Sequence, residues 1–293
     1  MTLPRLLLLV SALGAATGAL EAQDAAPPAS KPIALDVMTF NIRTSAGRDG
    51  DDAWPFRKEI VAETIGRSDP DILGLQEALA DQIDFLEKAL LQYRCIGVDR
   101  GLNGGTGLSE ATPIFYRYQE LVPIESGTFW LGDPPNDHSR RRRGSRIVTW
   151  AHFHHLETGQ RIYVYNTHFT LREGPRELES ATLINEHIAS HAPGSAVIVM
   201  GDFNAVAESS ETWRVATSQG LRDAWRIAPE RHGPEVTSNG FTPPPEMGDM
   251  RIDWILVGGS IEVPSISTIA NGVDGRYPSD HYPVLATLSV GPS

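Results

Sequence analysis

The sequence predicts an α/β fold in which buried strands alternate with amphipathic helices. Three observations lead there. Ala196-Val197-Ile198-Val199 and Ile72-Leu73-Gly74-Leu75 are continuous apolar runs bounded by turn residues, the pattern of strands covered on both faces. Residues 57–68, 79–90 and 176–191 carry apolar side chains at helical spacing. Several of the strand-like runs end on an acid, an amide or a histidine, which a purely structural strand does not need.

The elements follow in order. Residues 33–42 alternate in part and end near Asn41, so they read as a strand with a polar tip; the plainest role for Asn41 is a turn residue. Ile60, Val61, Thr64 and Ile65 share one face of the helix over 57–68, and Asp69-Pro70 closes it, because a residue before proline resists helical angles. The strand over 72–77 ends on Glu77, and Leu79, Ile83, Leu86 and Leu90 start the next helix. Residues 101–107 are glycine-rich but match neither the dinucleotide fingerprint nor a Walker loop, and read as a flexible loop. Residues 113–118 and 126–131 read as short strands. Arg140 to Arg143 form a run of four arginines, either a solvated loop or a local anion-attracting patch. The strand over 146–153 leads to His152, His154 and His155, read as an exposed strand face because no acid or cysteine nearby completes a ligand set. Residues 161–169 alternate and reach Asn166-Thr167-His168. The helix over 176–191 turns Leu178, Ala181, Ile184 and Ile188 inward and ends at Pro193-Gly194.

The strand over 196–201 then runs into Gly201-Asp202-Phe203-Asn204. Asp202 and Asn204 are two apart, so in an extended backbone they point to one side. The pair suits hard-cation binding or alignment of a water, or simply a polar turn. Residues 206–248 are loop-rich, with a short helix over 211–218 and the turn Pro243-Pro244-Pro245. A strand over 251–257 carries Asp253 near its start, and Asp280-His281 precedes the last strand, 282–290.

Composition bounds the function. The chain has 293 residues, 41% hydrophobic and 21% charged, which is globular rather than disordered. Its formal net charge of -12 argues against electrostatic capture of long polyanions, though not against a small anionic substrate. The single cysteine, Cys95, excludes an intramolecular disulfide. Arg5, the apolar run 6–16 and small residues up to Ala22 have the layout of a secretory signal. The expected organisation is a cleaved signal over 1–22, a linker over 23–32 and one domain over 33–290, a secreted or periplasmic monomer without a stable membrane span. There is no Gly-x-Ser-x-Gly elbow and no His-Glu-x-x-His helix, so serine-esterase and zinc-peptidase chemistry lack support.

Asn41, Glu77, His168, Asp202, Asn204, Asp253, Asp280 and His281 thus stand at strand ends, as a convergent site at one edge of stacked sheets requires. The pieces Thr39-Phe40-Asn41-Ile42, Leu75-Gln76-Glu77, Asn166-Thr167-His168, Gly201-Asp202-Phe203-Asn204-Ala205, Arg251-Ile252-Asp253 and Ser279-Asp280-His281 resemble, in order, the motifs of the endonuclease/exonuclease/phosphatase superfamily. Ser126 to Leu131 and Arg146 to Trp150 look like a secreted bacterial branch of it. The resemblance implies a four-layer α-β-β-α sandwich of two packed mixed sheets. It implies Mg²⁺, with Mn²⁺ as a substitute, bound by Glu77 with Asn41 and Asp280. Asp202 would align or deprotonate the attacking water, Asn204 would help hold the phosphate, His168 and His281 would bond the phosphoryl oxygens, and Asp253 would orient His281. That branch often reads Asn-Thr-His-Leu-Asp-His, whereas this chain has Phe169-Thr170-Leu171 after His168, so some substrate contacts or a second metal site differ. The expected substrate is a phosphate ester, a small or lipid-linked phosphodiester ahead of a monoester. A nuclease acting on DNA or RNA and a non-catalytic binding module are the alternatives.

Overall fold

A computed structural model describes residues 31–101, 109–132, 146–171, 174–244 and 250–292. The expected signal, nearly all of the linker, most of the glycine-rich loop, the four arginines and Pro245 lie outside the described residues.

The first sheet opens with β1 (Ile33–Asn41), which helix α1 (Trp54–Ser68) connects to β2 (Ile72–Gln76). Helix α2 (Ala80–Ala89), β3 (Tyr93–Ile96) and β4 (Ile114–Arg117) follow. The second sheet is built from β5 (Leu121–Leu131), β6 (Arg146–His155), β7 (Arg161–His168), helix α3 (Pro175–His191) and β8 (Ala196–Asp202). Next come α4 (Glu211–Ala216), β9 (Arg222–Asp223), α5 (Ala224–Ile227), β10 (Glu230–His232), β11 (Asp253–Gly258), β12 (Ile261–Thr268) and β13 (Val284–Val290). The sheets have the orders β10-β12-β13-β1-β2-β4-β3 and β5-β6-β7-β8-β11-β9. Both are mixed.

Three apolar clusters are what a four-layer sandwich must bury. Val37, Ile72, Val164, Ile198, Ile255 and Ala286 fill the space between the sheets. Phe40, Val61, Ile65, Leu75 and Leu86 seat α1 and α2 on the outer face of the first sheet. Tyr165, Ile184, Val199 and Trp254 seat α3 on the second. The expected α-β-β-α sandwich is the fold.

Topology explains why polar tips converge. In each sheet the central pair is parallel, β1 with β2 and β7 with β8, and each pair is joined by a crossover helix. Parallel strands end at the same edge, so Asn41 lies opposite Gln76 and His168 opposite Asp202. The antiparallel neighbours begin where those strands end: Asp253 lies opposite Asp202, and β13, beside β1, starts just after Asp280 and His281.

Several expectations need correction. β5 begins at Leu121, not 126, because Pro123 interrupts the alternation; it sits at a register shift on an edge strand, where a missing donor is tolerated. β12 was not expected at all, since Pro264 breaks the apolar alternation, again within a register shift. The short β3, β9 and β10 and helix α5 left no periodic signal. β11 and β13 start two residues later than expected, and α4 ends two residues earlier. His152 and His155 are not exposed: both are buried, and His152 stacks on Tyr163, with ring centroids 3.9 Å apart.

Candidate active site

The site is a cavity of about 400 Å³ at that sheet edge, with Glu77, His168, Asp202, Asn204, Asp280 and His281 in its wall. The two sheets are sewn together beneath it. Gln76 Nε2 donates to Asn166 Oδ1 at 2.7 Å, and Asn166 Nδ2 donates to the carbonyls of Leu75 and Pro113, each at 2.9 Å. Gly74 makes room, since a Cβ there would lie 2.8 Å from Asn166 Oδ1. Gly201 has φ 154°, and a Cβ on it would lie 2.2 Å from the carbonyl oxygen of Thr167. Only glycine lets β8 approach β7 so closely just before Asp202.

Asn41 is fully buried and turns its amide nitrogen into the site. Nδ2 donates to Asp202 Oδ2 at 2.9 Å and to Glu77 Oε1 at 3.2 Å, while Oδ1 accepts the Arg43 N–H at 3.0 Å. Glu77 follows β2 in a left-handed conformation (φ 60°), and its Oε2 accepts the Thr44 N–H at 3.0 Å. Asp280 presents Oδ2 3.7 Å from Arg43 Nη1. Burial and the charge of Glu77 push the Asp280 carboxyl above the usual carboxylate range, against the pull of His281 and Arg43.

Arg57, from α1, braces this side from behind. It is buried and donates to the carbonyls of Ile42, Arg43 (2.6 Å), Asp52 (2.9 Å) and Pro278 (3.0 Å). Ser279 Oγ donates to the Asn41 carbonyl at 2.7 Å. The loop bearing Asp280 and His281 is thereby fixed to the end of β1.

Asp202 is the centre of the site and only 1% exposed. Its Oδ1 accepts the Asn204 N–H at 2.9 Å, and its Oδ2 lies 3.4 Å from His168 Nε2 and 3.9 Å from His281 Nε2. Burial and the nearby Asp253 charge raise its pKa to about 7, with His281, Asn41 and Asn204 opposing. A carboxylate so poised suits proton abstraction near neutral pH. His281 Nδ1 bonds Asp253 Oδ2 at 2.9 Å. Burial works against its charge, but the Asp253 and Asp202 carboxylates outweigh that and push its pKa up to about 10, so it is an imidazolium at neutral pH. His168 is the reverse case: burial and the positive charges of Arg146, Arg100 and His281 hold it well below the usual range and therefore neutral. Asn204, left-handed at φ 49°, donates from Nδ2 to the Phe169 carbonyl and to His168 Nε2, both at 3.0 Å. That leaves the His168 proton on Nδ1.

All eight residues singled out from the sequence meet here: seven are linked by contacts that run through Asp202, and Asp280 shares the cavity. Sequence reasoning passed over Gln76, Asn166 and Arg57, although the first two lie inside the quoted motifs.

The fit to a divalent cation rests on donor chemistry. Glu77 and Asp280 bring two carboxylates into one cavity, where the charge of Glu77 disfavours that of Asp280, and a hard cation would relieve that repulsion. Asp202, Asp253 and His281 also bring ligand atoms within 4.8 Å of one another. There, however, His281 carries a proton on both nitrogens and so offers a cation no lone pair, with Nδ1 held by Asp253; this trio reads as a proton-holding unit, and Glu77 with Asp280 as the oxygens that would hold a cation.

Comparison with known proteins gives the family. The Endonuclease/Exonuclease/phosphatase family pattern matches residues 38–281, a stretch that starts three residues before Asn41 and ends on His281. A Bacteroides vulgatus endonuclease/exonuclease/phosphatase structure is 32% identical, with TM-score 0.81, over 88% of this chain and 99% of that one. A mannosyl-6-phosphatase of Bacteroides thetaiotaomicron is 30% identical, with TM-score 0.79, over 87% of this chain and 99% of that one. A Mycobacterium tuberculosis sphingomyelinase is 36% identical over 90 residues, 30% of this chain but only 18% of that protein's length. The chain belongs to the endonuclease/exonuclease/phosphatase family and is a hydrolase of phosphoester bonds.

Proposed function

We propose that residues 33–290 form a Mg²⁺-dependent hydrolase of a phosphate ester carried by a small or lipid-linked molecule. The observation that carries this reading is the setting of Asp202, buried between a neutral His168 and a protonated His281. Asn41 and Asn204 fix the Asp202 carboxylate, which aligns a water and takes its proton. The His281 imidazolium, kept charged and oriented by Asp253, donates to a phosphoryl oxygen as negative charge grows there. His168 and Asn204, bonded to each other, line the cavity beside Asp202 and position the phosphoryl group. Glu77 and Asp280 would hold the Mg²⁺, which supplies charge stabilisation to the phosphate and leaving group. Asn41, expected to assist the cation, grips Glu77 and Asp202 together through Nδ2 and so sets the spacing between that carboxylate and the base. Mn²⁺ should substitute, because the donors are oxygens without a strict geometric demand.

The small-substrate preference is supported by the net charge of -12 and by the phosphatase and sphingomyelinase relatives. The N-terminal layout supports export, with the protein acting as a secreted or periplasmic monomer. No helix among the described residues is long and apolar enough to cross a membrane. The deciding experiment is hydrolysis of p-nitrophenyl phosphate and bis-p-nitrophenyl phosphate with Mg²⁺, Mn²⁺ or EDTA. Turnover of either ester that EDTA abolishes and Mg²⁺ restores is the expected result. Turnover untouched by EDTA would overturn the metal dependence. Cleavage of DNA or RNA far faster than either small ester would make the protein a nuclease, and no turnover of any phosphoester would make it a binding module.

A further inference from the structure

Arg146, the first residue of β6, lines the same cavity as His168 and Asp202, and the function just described leaves it unused. Its side chain is 16% exposed. Nε and Nη1 are buried and make no hydrogen bond. Among the described residues the nearest carboxylate oxygen, Glu110 Oε2, is 3.8 Å from Nη1 and is already paired with Arg100 Nη2 at 2.8 Å. A buried guanidinium left with open N–H groups costs stability, and the partner that suits its planar fork is an oxyanion. Burial accordingly disfavours the charge on Arg146 here.

Counting oxygens identifies the anion. A phosphodiester has two non-bridging oxygens, for which the His281 imidazolium and a cation that Glu77 and Asp280 would hold suffice. A phosphomonoester has a third and carries more negative charge at neutral pH. In a diester that position bears an ester-linked carbon group, which would set an alkyl or aryl chain against N–H groups of Arg146 that have no hydrogen bond. Resting on the phosphoesterase reading above, we propose that Arg146 is a specificity-determining residue that binds the third terminal oxygen of a phosphomonoester dianion, so that the site selects monoesters over diesters. Arg100 holds Glu110 away from a full bond with Arg146 and so leaves Nη1 open for substrate.

The test compares wild type, R146M and R146K in Mg²⁺. On p-nitrophenyl phosphate, wild type should exceed its rate on bis-p-nitrophenyl phosphate. R146M should lose about a hundredfold in kcat/KM on the monoester, the order expected for one charged donor to the reacting group, but only a few-fold on the diester. R146K, which keeps the charge without the fork, should fall between them. A wild-type preference for the diester, or an equal loss on both esters, would overturn the proposal. A second arm needs no turnover: thermal unfolding with orthophosphate or dimethyl phosphate. Orthophosphate should raise the Tm of wild type and not of R146M, and dimethyl phosphate should treat the two alike. Equal protection of both proteins by orthophosphate, or none of wild type, would overturn the role of Arg146. If neither ester is hydrolysed by wild type, the activity reading fails by itself and this binding arm still decides Arg146. Should R146M not fold, R146Q replaces it in both arms.

Discussion

Asp253→Asn tests the proton arrangement most directly. The substitution keeps the size of the side chain and removes its charge 2.9 Å from His281 Nδ1. Asp253 is the leading cause that lifts His281 from 6.5 to about 10, followed by Asp202. At about 1.4 kcal/mol per pKa unit, that lift corresponds to roughly 5 kcal/mol favouring the charged imidazole. Removing the larger contributor should bring the His281 titration down toward its ordinary 6.5. Two measurements follow. The His281 ring, followed by NMR in metal-free protein, should titrate near neutrality in D253N and remain charged at pH 8.5 in wild type. The kcat/KM of D253N should fall by about a hundredfold or more at pH 8.5, where the imidazole has lost its proton, and by less at pH 6. Stability follows the same sign. A raised histidine pKa contributes stability that is complete below about 6.5 and is lost as pH rises through about 10. Wild type should therefore lose unfolding free energy across that window, and D253N should not. An unchanged His281 titration, or a loss of activity equal at both pH values, would refute the reasoning.

Other substitutions probe the remaining parts. Asp202→Ala should lower kcat by about a hundredfold or more, with circular dichroism unchanged, because it removes the base and leaves the fold's apolar layers intact. In wild type, Asp202 with a pKa near 7 should give an ascending limb in the metal-free titration of that carboxyl, seen by infrared difference or NMR. Glu77→Gln should abolish the rise in Tm that Mg²⁺ gives wild type, a rise worth about 2.7 kcal/mol at a hundredfold excess over Kd. Gly201→Ala should cost more than about 2 kcal/mol in denaturant unfolding, since its Cβ would meet the Thr167 carbonyl and part β7 from β8. Arg57→Met should destabilise by about 3 kcal/mol or more, because it leaves four carbonyls without their shared donor.

The site was legible because its residues violate the logic of the strands that carry them. Glu77, Asp202 and Asp253 sit at the ends of apolar runs with no structural need for charge, and that mismatch is visible in one dimension. The parallel pairs β1–β2 and β7–β8 were partly legible through the helices between them. What was hidden depends on contacts across the sandwich. Gln76 and Asn166 are 90 apart in sequence and meet only because Gly74 lets the sheets close. Arg57 looked like one more polar residue at a helix start, yet it is buried by the loops whose carbonyls it binds. β12 was lost because Pro264 is read as a strand breaker, while an irregular register absorbs it. The difference between His168, neutral, and His281, charged, could not be read from sequence at all, since it depends on which carboxylates and guanidiniums surround each ring.

The pairing of β1 with β13 has a consequence for synthesis. The strand that carries Asn41 is flanked on one side by the chain's last strand, and Arg57 and Ser279 tie the end of β1 to the loop just before it. A growing chain has already made Glu77, His168 and Asp202 long before Asp280, His281 and β13 exist. Until they emerge, β1 presents an open edge and the would-be base has no imidazolium beside it. A chain stopped after residue 270 should thus bind no orthophosphate and turn over no ester. On the mechanism proposed above, the site is complete only once β13 has docked beside β1.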